Sequence, residues 1–342
     1  MTDKPILFLA GRMAAPRKDW MAAALQTEWN ILTWAEDEPF EDFAAQVPRA
    51  DAIVGGRIHG LWPAVPKLRL YQLPFTGFHW IEPSDVPFGC TVCNTYEHEI
   101  AISEYVLGAM LEREIGTVAA DRKFRGHGWD GGPSRSKATH GELFGKTIGI
   151  VGYGHIGAEV ARRANAFGMR CIAVTRTSRP APEPLEWLGA MQALDRLLNE
   201  SDYVLLALPL ADDTHGLIDA KRFARMKPDG VIINVGRGLV IDEGALYAAL
   251  DERRIGGAII DVWYNYPSDE VENPAPSRYP FQELDNIIMT PIPAPTAKRR
   301  GCGVGPLSPP MWIALPGAKR CGMSVSRAPA RSRSRQGRRD QR

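Results

Sequence analysis

The chain has 342 residues, 44% hydrophobic and 24% charged, with a formal net charge of +1, which suits a globular protein large enough for two domains with real cores. That near-neutrality hides an asymmetry: residues 292–342 hold 12 Lys+Arg and one acid, net +11, leaving 29 basic against 39 acidic residues, net −10, in the rest. An acidic body argues against nucleic acid as the main partner, and the apolar run Pro5–Ala10 is too short for a signal or membrane segment, so nothing marks export or anchoring.

In chain order, Ile6–Ala10, Asp51–Gly55, Leu68–Leu73 and Cys90–Asn94 are short apolar runs between helical stretches, a βα alternation that predicts a parallel sheet covered on both faces. The five cysteines, Cys90, Cys93, Cys171, Cys302 and Cys321, have no framework spacing and suit reduced cytoplasmic thiols. Cys90 and Cys93 form a CxxC, but on a strand they face opposite sides. Ile100–Leu111 is apolar nearly all round apart from Ser103 and Glu104, and predicts a helix buried between domains or subunits. Residues 122–141 lack periodicity and read as a loop. From Lys146 the alternation resumes with strands at Thr147–Val151, Arg170–Arg176, Tyr203–Leu208, Val231–Val235, Gly257–Trp263 and Asn286–Thr290, and helices such as His155–Phe167 and Asp242–Arg253. Strands linked by helical crossovers predict a doubly wound nucleotide-binding domain.

Gly152, Gly154 and Gly157 have the GxGxxG spacing between a strand and a helix, through His155, whose backbone matters more than its ring, and Ile156. Glycine allows the tight turn, the close approach of a pyrophosphate and the packing of helix on strand, which predicts dinucleotide binding. The next strand should end in Asp or Glu to accept from a ribose 2′-OH, but it ends in Thr175 followed by Arg176, with Arg179 nearby. A missing carboxylate and two guanidiniums favour NADP over NAD. Arg176 as a solvated strand-end charge is the other reading.

Asn234-Val-Gly-Arg-Gly238, Val240-Ile-Asp-Glu243 and Gly257-Ala-Ile-Ile-Asp-Val-Trp263, with Pro66-Lys-Leu-Arg-Leu70, Gly77, Val92-Cys-Asn94 and Ser103-Glu104 upstream, give the chain a specific resemblance. Over roughly residues 45 to 291 it resembles the D-isomer-specific 2-hydroxyacid dehydrogenases, among them glyoxylate/hydroxypyruvate reductases and phosphoglycerate dehydrogenases. The resemblance implies an α/β protein of two doubly wound domains. Residues 1–98 would be a flavodoxin-like substrate domain lacking its usual C-terminal return helix, and 99–291 a Rossmann NAD(P)-binding domain. It further implies a cytoplasmic homodimer that transfers hydride between NAD(P) and a small 2-oxo/2-hydroxy acid; phosphonate or formate dehydrogenation on the same scaffold is an alternative.

By this resemblance Arg237 holds the substrate carboxylate, Asp261 lies near the nicotinamide carboxamide, Pro209 and Val235 line the cofactor, and Gly77, in Phe75-Thr-Gly-Phe-His79, approaches the carboxylate through backbone N–H groups. The glutamate that orients the family's catalytic histidine is replaced by Tyr266, which can hydrogen-bond an imidazole but supplies no charge. The histidine itself, the proton donor to the keto oxygen, is replaced by Ile292 in Thr290-Pro-Ile292. Losing such a group commonly costs ~10² to 10⁴ in rate, so the chain as written is expected to be a crippled dehydrogenase or an inert NAD(P)-binding protein. His79 is the nearby alternative acid, and no His or Cys spacing implies a metal site.

After Pro291 the composition turns to Pro, Gly, Cys and Arg, ending in Arg331-Ser-Arg-Ser-Arg335 and beyond, which predicts a basic, disordered tail over 292–342. A one-base frame change near Pro291 accounts for it: an isoleucine codon begins AT, so position 292 would become His, Tyr, Asn or Asp, and Met311-Trp312 would contribute a forced Val-Asp pair. One shifted reading restores histidine and an amphipathic helix. A genuine Arg/Ser-rich nucleic-acid arm is the competing reading.

Overall fold

The structure is a computed structural model in which residues 4–58, 62–74, 81, 86–87, 89–95, 98–129, 139–177, 179–267 and 271–291 are described. The described residues fall into two compact units, the first within Met1–Tyr96 and the second from Glu97 onward.

The first unit runs β1 (Ile6–Ala10), α1 (Lys18–Ala24), β2 (Asn30–Trp34), α2 (Phe40–Gln46), β3 (Ala52–Gly55), β4 (Leu70–Gln72) and β5 (Thr91–Cys93). Its five strands form one parallel sheet in the order β2-β1-β3-β4-β5. Side chains alternate across it: Phe8, Ala10 and Ile53 join Phe43 in one cluster, while Leu7, Leu9 and Val54 join Met21 in the other. Four of these strands are the ones predicted; β2, at the edge and mostly half-buried, was not.

The second unit comprises α3 (Glu99–Ile115), α4 (Thr117–His127), β6 (Thr147–Val151), α5 (His155–Ala166), β7 (Arg170–Thr175), β8 (Leu185–Ala190), α6 (Leu194–Glu200), β9 (Tyr203–Leu206), α7 (Ala220–Phe223), β10 (Val231–Asn234), α8 (Glu243–Asp251), β11 (Gly257–Ile260) and β12 (Ile287–Met289). Its parallel sheet has the order β12-β11-β10-β9-β6-β7-β8. The winding reverses between β6 and β9, so a crevice is expected at the carboxyl ends of these strands. Every residue of β6 is buried, with Ile148 and Ile150 packed towards α3 and α5 and Val151 towards the α6 face.

Two expectations need correction. The sheet has seven strands rather than six, because Leu185–Ala190 adds an edge strand tied to β7 by Arg170, which donates to both Glu186 and Glu200. The segment expected as a loop over 122–141 is helical through His127, and this helix has no buried residue. Helix α3 packs one face within its own unit, where Val106, Leu107, Ala109 and Met110 meet Val160, Ala161 and Ala164 of α5.

Cys90 and Cys171 are free, and burial pushes both thiols up to about 11. Among the described residues no helix is long and apolar enough to cross a membrane, and no cluster of His, Cys, Asp or Glu could hold a metal ion.

Candidate functional site

The turn from β6 into α5 is built from main chain. Gly152 has φ +98°, and a Cβ there would lie 2.7 Å from the Ala207 carbonyl oxygen, so only glycine fits. At Gly157 a Cβ would lie 2.6 Å from the Gly152 oxygen, so this glycine lets α5 close on the strand. Gly154 is different: it precedes the first residue of α5, and a Cβ there would meet nothing within 4 Å. The protein itself does not require a glycine at 154, whereas an incoming pyrophosphate backed by a helix N-terminus would. The residues present therefore fit a dinucleotide, with His155 and Ile156 opening the helix.

At the end of β7, Thr175 donates to the Thr177 carbonyl, and Arg176 pairs with Asp213 at 3.3 Å with both side chains largely exposed. Arg179 donates to the Tyr153 carbonyl at 3.0 Å and so lies against the glycine turn. Beyond β9, Pro209 is fixed through its carbonyl, which accepts from the Thr214 hydroxyl at 2.9 Å.

Arg237 follows β10 and the buried Val235, on a short loop tied by the Asn234 side chain. Asn234 donates to the Arg237 carbonyl at 3.0 Å and accepts from the Gly236 amide at 3.1 Å. Its neighbours must be glycine: a Cβ at 236 would lie 2.7 Å from the Leu208 oxygen, and one at 238 would lie 2.2 Å from the Trp263 oxygen. Thus Gly152 and Gly236 rest on the same Ala207–Leu208 segment, one on each side of β9.

Asp261, just past β11, is buried, with only 6% exposure. It accepts from the Thr290 hydroxyl at 2.6 Å, and that hydroxyl lies 2.7 Å from the Tyr105 hydroxyl of α3. Burial pushes the Asp261 carboxyl up to about 6, with the Thr290 hydrogen bond opposing it. Thr290 is held at its backbone too, since its amide donates to Ile260 and its carbonyl accepts from the Trp263 indole at 2.7 Å. Tyr266 accepts from the Trp263 amide at 2.9 Å; burial raises its phenol, the Trp263 amide and Arg237 lower it, and Asp261 raises it.

The second unit thus gathers Gly152, Gly154, His155, Ile156, Gly157, Thr175, Arg176, Pro209, Val235, Arg237, Asp261 and Tyr266 at or beyond the carboxyl ends of its strands. Gly77, His79 and Ile292 lie outside the described residues. Tyr105, Thr290 and Asp213 were missed. Thr290 stood in a quoted motif but carried no assigned role, and Tyr105 lay inside a run read only as apolar.

Residues 107–293 match the family described as D-isomer specific 2-hydroxyacid dehydrogenase, NAD binding domain. A glyoxylate reductase from Pyrococcus furiosus is 34% identical over 282 residues, covering 78% of this chain and 80% of its own. Two solved structures share the fold. An NADPH-dependent glyoxylate/hydroxypyruvate reductase from Sinorhizobium meliloti superposes with a TM-score of 0.67 at 22% identity, over 84% of this chain and 88% of the other. A D-isomer specific 2-hydroxyacid dehydrogenase from Xanthobacter autotrophicus, solved with NADPH, superposes with a TM-score of 0.69 at 23% identity, over 85% and 88%.

Proposed function

The chain belongs to the D-isomer-specific 2-hydroxyacid dehydrogenases, a family of NAD(P)-dependent oxidoreductases, and on that premise we propose that its site is laid out to pass a hydride between nicotinamide and a small 2-oxo acid such as glyoxylate or hydroxypyruvate. The observation that supports this best is the shared Ala207–Leu208 support, which sets the glycine turn and the Arg237 loop side by side at the carboxyl ends of the central strands. An anion-seeking guanidinium beside a dinucleotide turn is what reduction of an acidic carbonyl compound requires.

When bound, the nicotinamide dinucleotide supplies or takes up the hydride. The bare Gly154 position and the start of α5 would receive the pyrophosphate. Arg237 would grip the substrate carboxylate with its two-pronged guanidinium and Asp261 would accept from the carboxamide, with Pro209 and Val235 beside the ring; Gly77, which the resemblance assigns to the carboxylate through its backbone N–H groups, lies outside the described residues. Position 292 is where a proton must reach the keto oxygen, and isoleucine has none to give. Tyr266, already accepting from Trp263, keeps one proton it could donate to a ring nitrogen but brings no negative charge.

We propose NADP as the preferred cofactor. Arg179 is braced on the glycine turn, and Arg176 is held by an exposed pair with Asp213, which exchanges for a phosphate at little cost. We also propose that the enzyme works in the cytoplasm as a homodimer, and that residues from 292 onward are read out of frame. The dimer is supported by the uncovered faces of Val118, Phe124 and Trp129, which are 50%, 51% and 71% exposed.

The test pairs fluorescence titration of NADPH with glyoxylate-dependent NADPH consumption. Binding with slow turnover that Arg237→Ala abolishes supports the reductase. The isoleucine at 292 favours a second reading, an inert dinucleotide-binding protein. That reading prevails if NADPH binds and nothing is consumed even after Ile292→His is combined with an in-frame C-terminus. Sequencing the gene through codon 292 tests the frame: no histidine and no helix-compatible run in the displaced frame removes it.

A further inference from the structure

Asp261 is a carboxylate at 6% exposure that accepts from the Thr290 hydroxyl at 2.6 Å. A threonine hydroxyl has a single proton. Within reach of Thr290 Oγ1 are the Asp261 carboxylate, the Tyr105 hydroxyl at 2.7 Å and, at a longer 3.4 Å, the Ile260 carbonyl. Burial pushes the Tyr105 phenol up to about 12, so at working pH it keeps its proton and must place it on an acceptor. Only one assignment gives every proton an acceptor and the carboxylate a donor: Tyr105 donates to Thr290, and Thr290 donates to Asp261.

We infer that Tyr105 and Thr290 are positioning residues for Asp261, a two-membered hydrogen-bond chain running from α3 through the end of β12 that keeps the buried carboxylate ionised and fixes its orientation. The backbone agrees with this, since Thr290 is tethered at its amide by Ile260 and at its carbonyl by Trp263, leaving the hydroxyl aimed by the fold. Among the described residues the titratable groups that feel the carboxylate are Tyr105 on α3 and Tyr266 after β11, and Tyr266 in turn feels Arg237. Thr290, just past β12, is neutral, so what it contributes to Asp261 is its donated hydrogen bond. Donation to a charged acceptor is strengthened when the donor is itself polarised from behind, which is the part Tyr105 plays.

The inference deepens the dehydrogenase reading, but its first test does not depend on it. Full-length protein carrying [¹³C]carboxyl aspartate is titrated by NMR without cofactor from pH 4 to 8, and the Asp261 resonance is identified by its loss in Asp261→Asn. Thr290→Val is expected to move the titration midpoint up by about one pH unit, Thr290→Ser to return it, and Tyr105→Phe to move it up by a smaller step. An unmoved midpoint in a folded Thr290→Val protein overturns the inference, as does a Thr290→Ser protein that titrates like the valine variant. NADPH affinity of the same variants is then followed against pH. If its acid limb tracks the NMR midpoint, the chain is tied to cofactor binding. If the NMR midpoint moves and NADPH affinity does not follow, the hydrogen-bond chain stands and the placing of Asp261 at the nicotinamide fails.

Discussion

At the scale of single residues, the burial of Asp261 carries a cost in stability. Its carboxyl is raised by burial from 3.8 to about 6, so between those values the folded chain holds the proton more tightly than the unfolded one. Stability from this group therefore grows as pH falls from 6 towards 4, and at pH 7 its ionisation costs on the order of 2 to 3 kcal/mol. Asp261→Asn keeps an acceptor for Thr290 and removes the charge. We expect it to raise the neutral-pH melting temperature, with the gain fading near pH 4, while NADPH binds more weakly; thermal scans at the two pH values check the first part and titration the second. Arg237 works the other way round. It is braced through its own backbone by Asn234, so Arg237→Ala should leave the fold intact and weaken oxamate binding by roughly 10- to 100-fold, measured by calorimetry with cofactor present.

At the scale of elements, the two glycine pairs separate structure from function. Gly154→Ala adds a methyl where the protein has open space, so chemical denaturation should change by no more than about 0.5 kcal/mol while the dinucleotide dissociation constant rises at least about tenfold. Gly238→Ala would thrust a Cβ to 2.2 Å from the Trp263 carbonyl and should cost about 1 to 3 kcal/mol of stability by the same measurement. What the sequence made legible follows the same physics. Fully buried parallel strands such as β9 and β11 are unbroken apolar runs that announce themselves, as does a glycine turn between strand and helix. The edge strands β2 and β8 did not, because half-exposed strands such as Leu185-Glu-Trp-Leu-Gly-Ala190 mix polar and small residues into a weak pattern. Helix α4 was unreadable for the converse reason: with no face buried in its own unit it has no apolar stripe to show. The Tyr105–Thr290–Asp261 contacts join residues far apart in the chain, and no local pattern encodes such a meeting.

At the scale of the whole molecule, an eleven-residue helix with nothing buried gains little from tertiary packing and is too short to be stable alone. A second copy of the chain against Phe124 and Trp129, which already pack edge to face at 5.2 Å, would cover it. If the proposed dimer forms through this face, Phe124→Glu should halve the mass found by light scattering; an unchanged mass removes the face from the proposal. The Ala207–Leu208 shelf has a consequence of its own. Its nearest atoms to the glycines on either side are peptide carbonyl oxygens, so the gap between the proposed phosphate pocket and carboxylate clamp is gauged chiefly by main chain, with only the Leu208 Cβ beside it. Divergence among these reductases could not retune that ruler a methyl group at a time, and a taste for longer or bulkier acids would have to be acquired away from it.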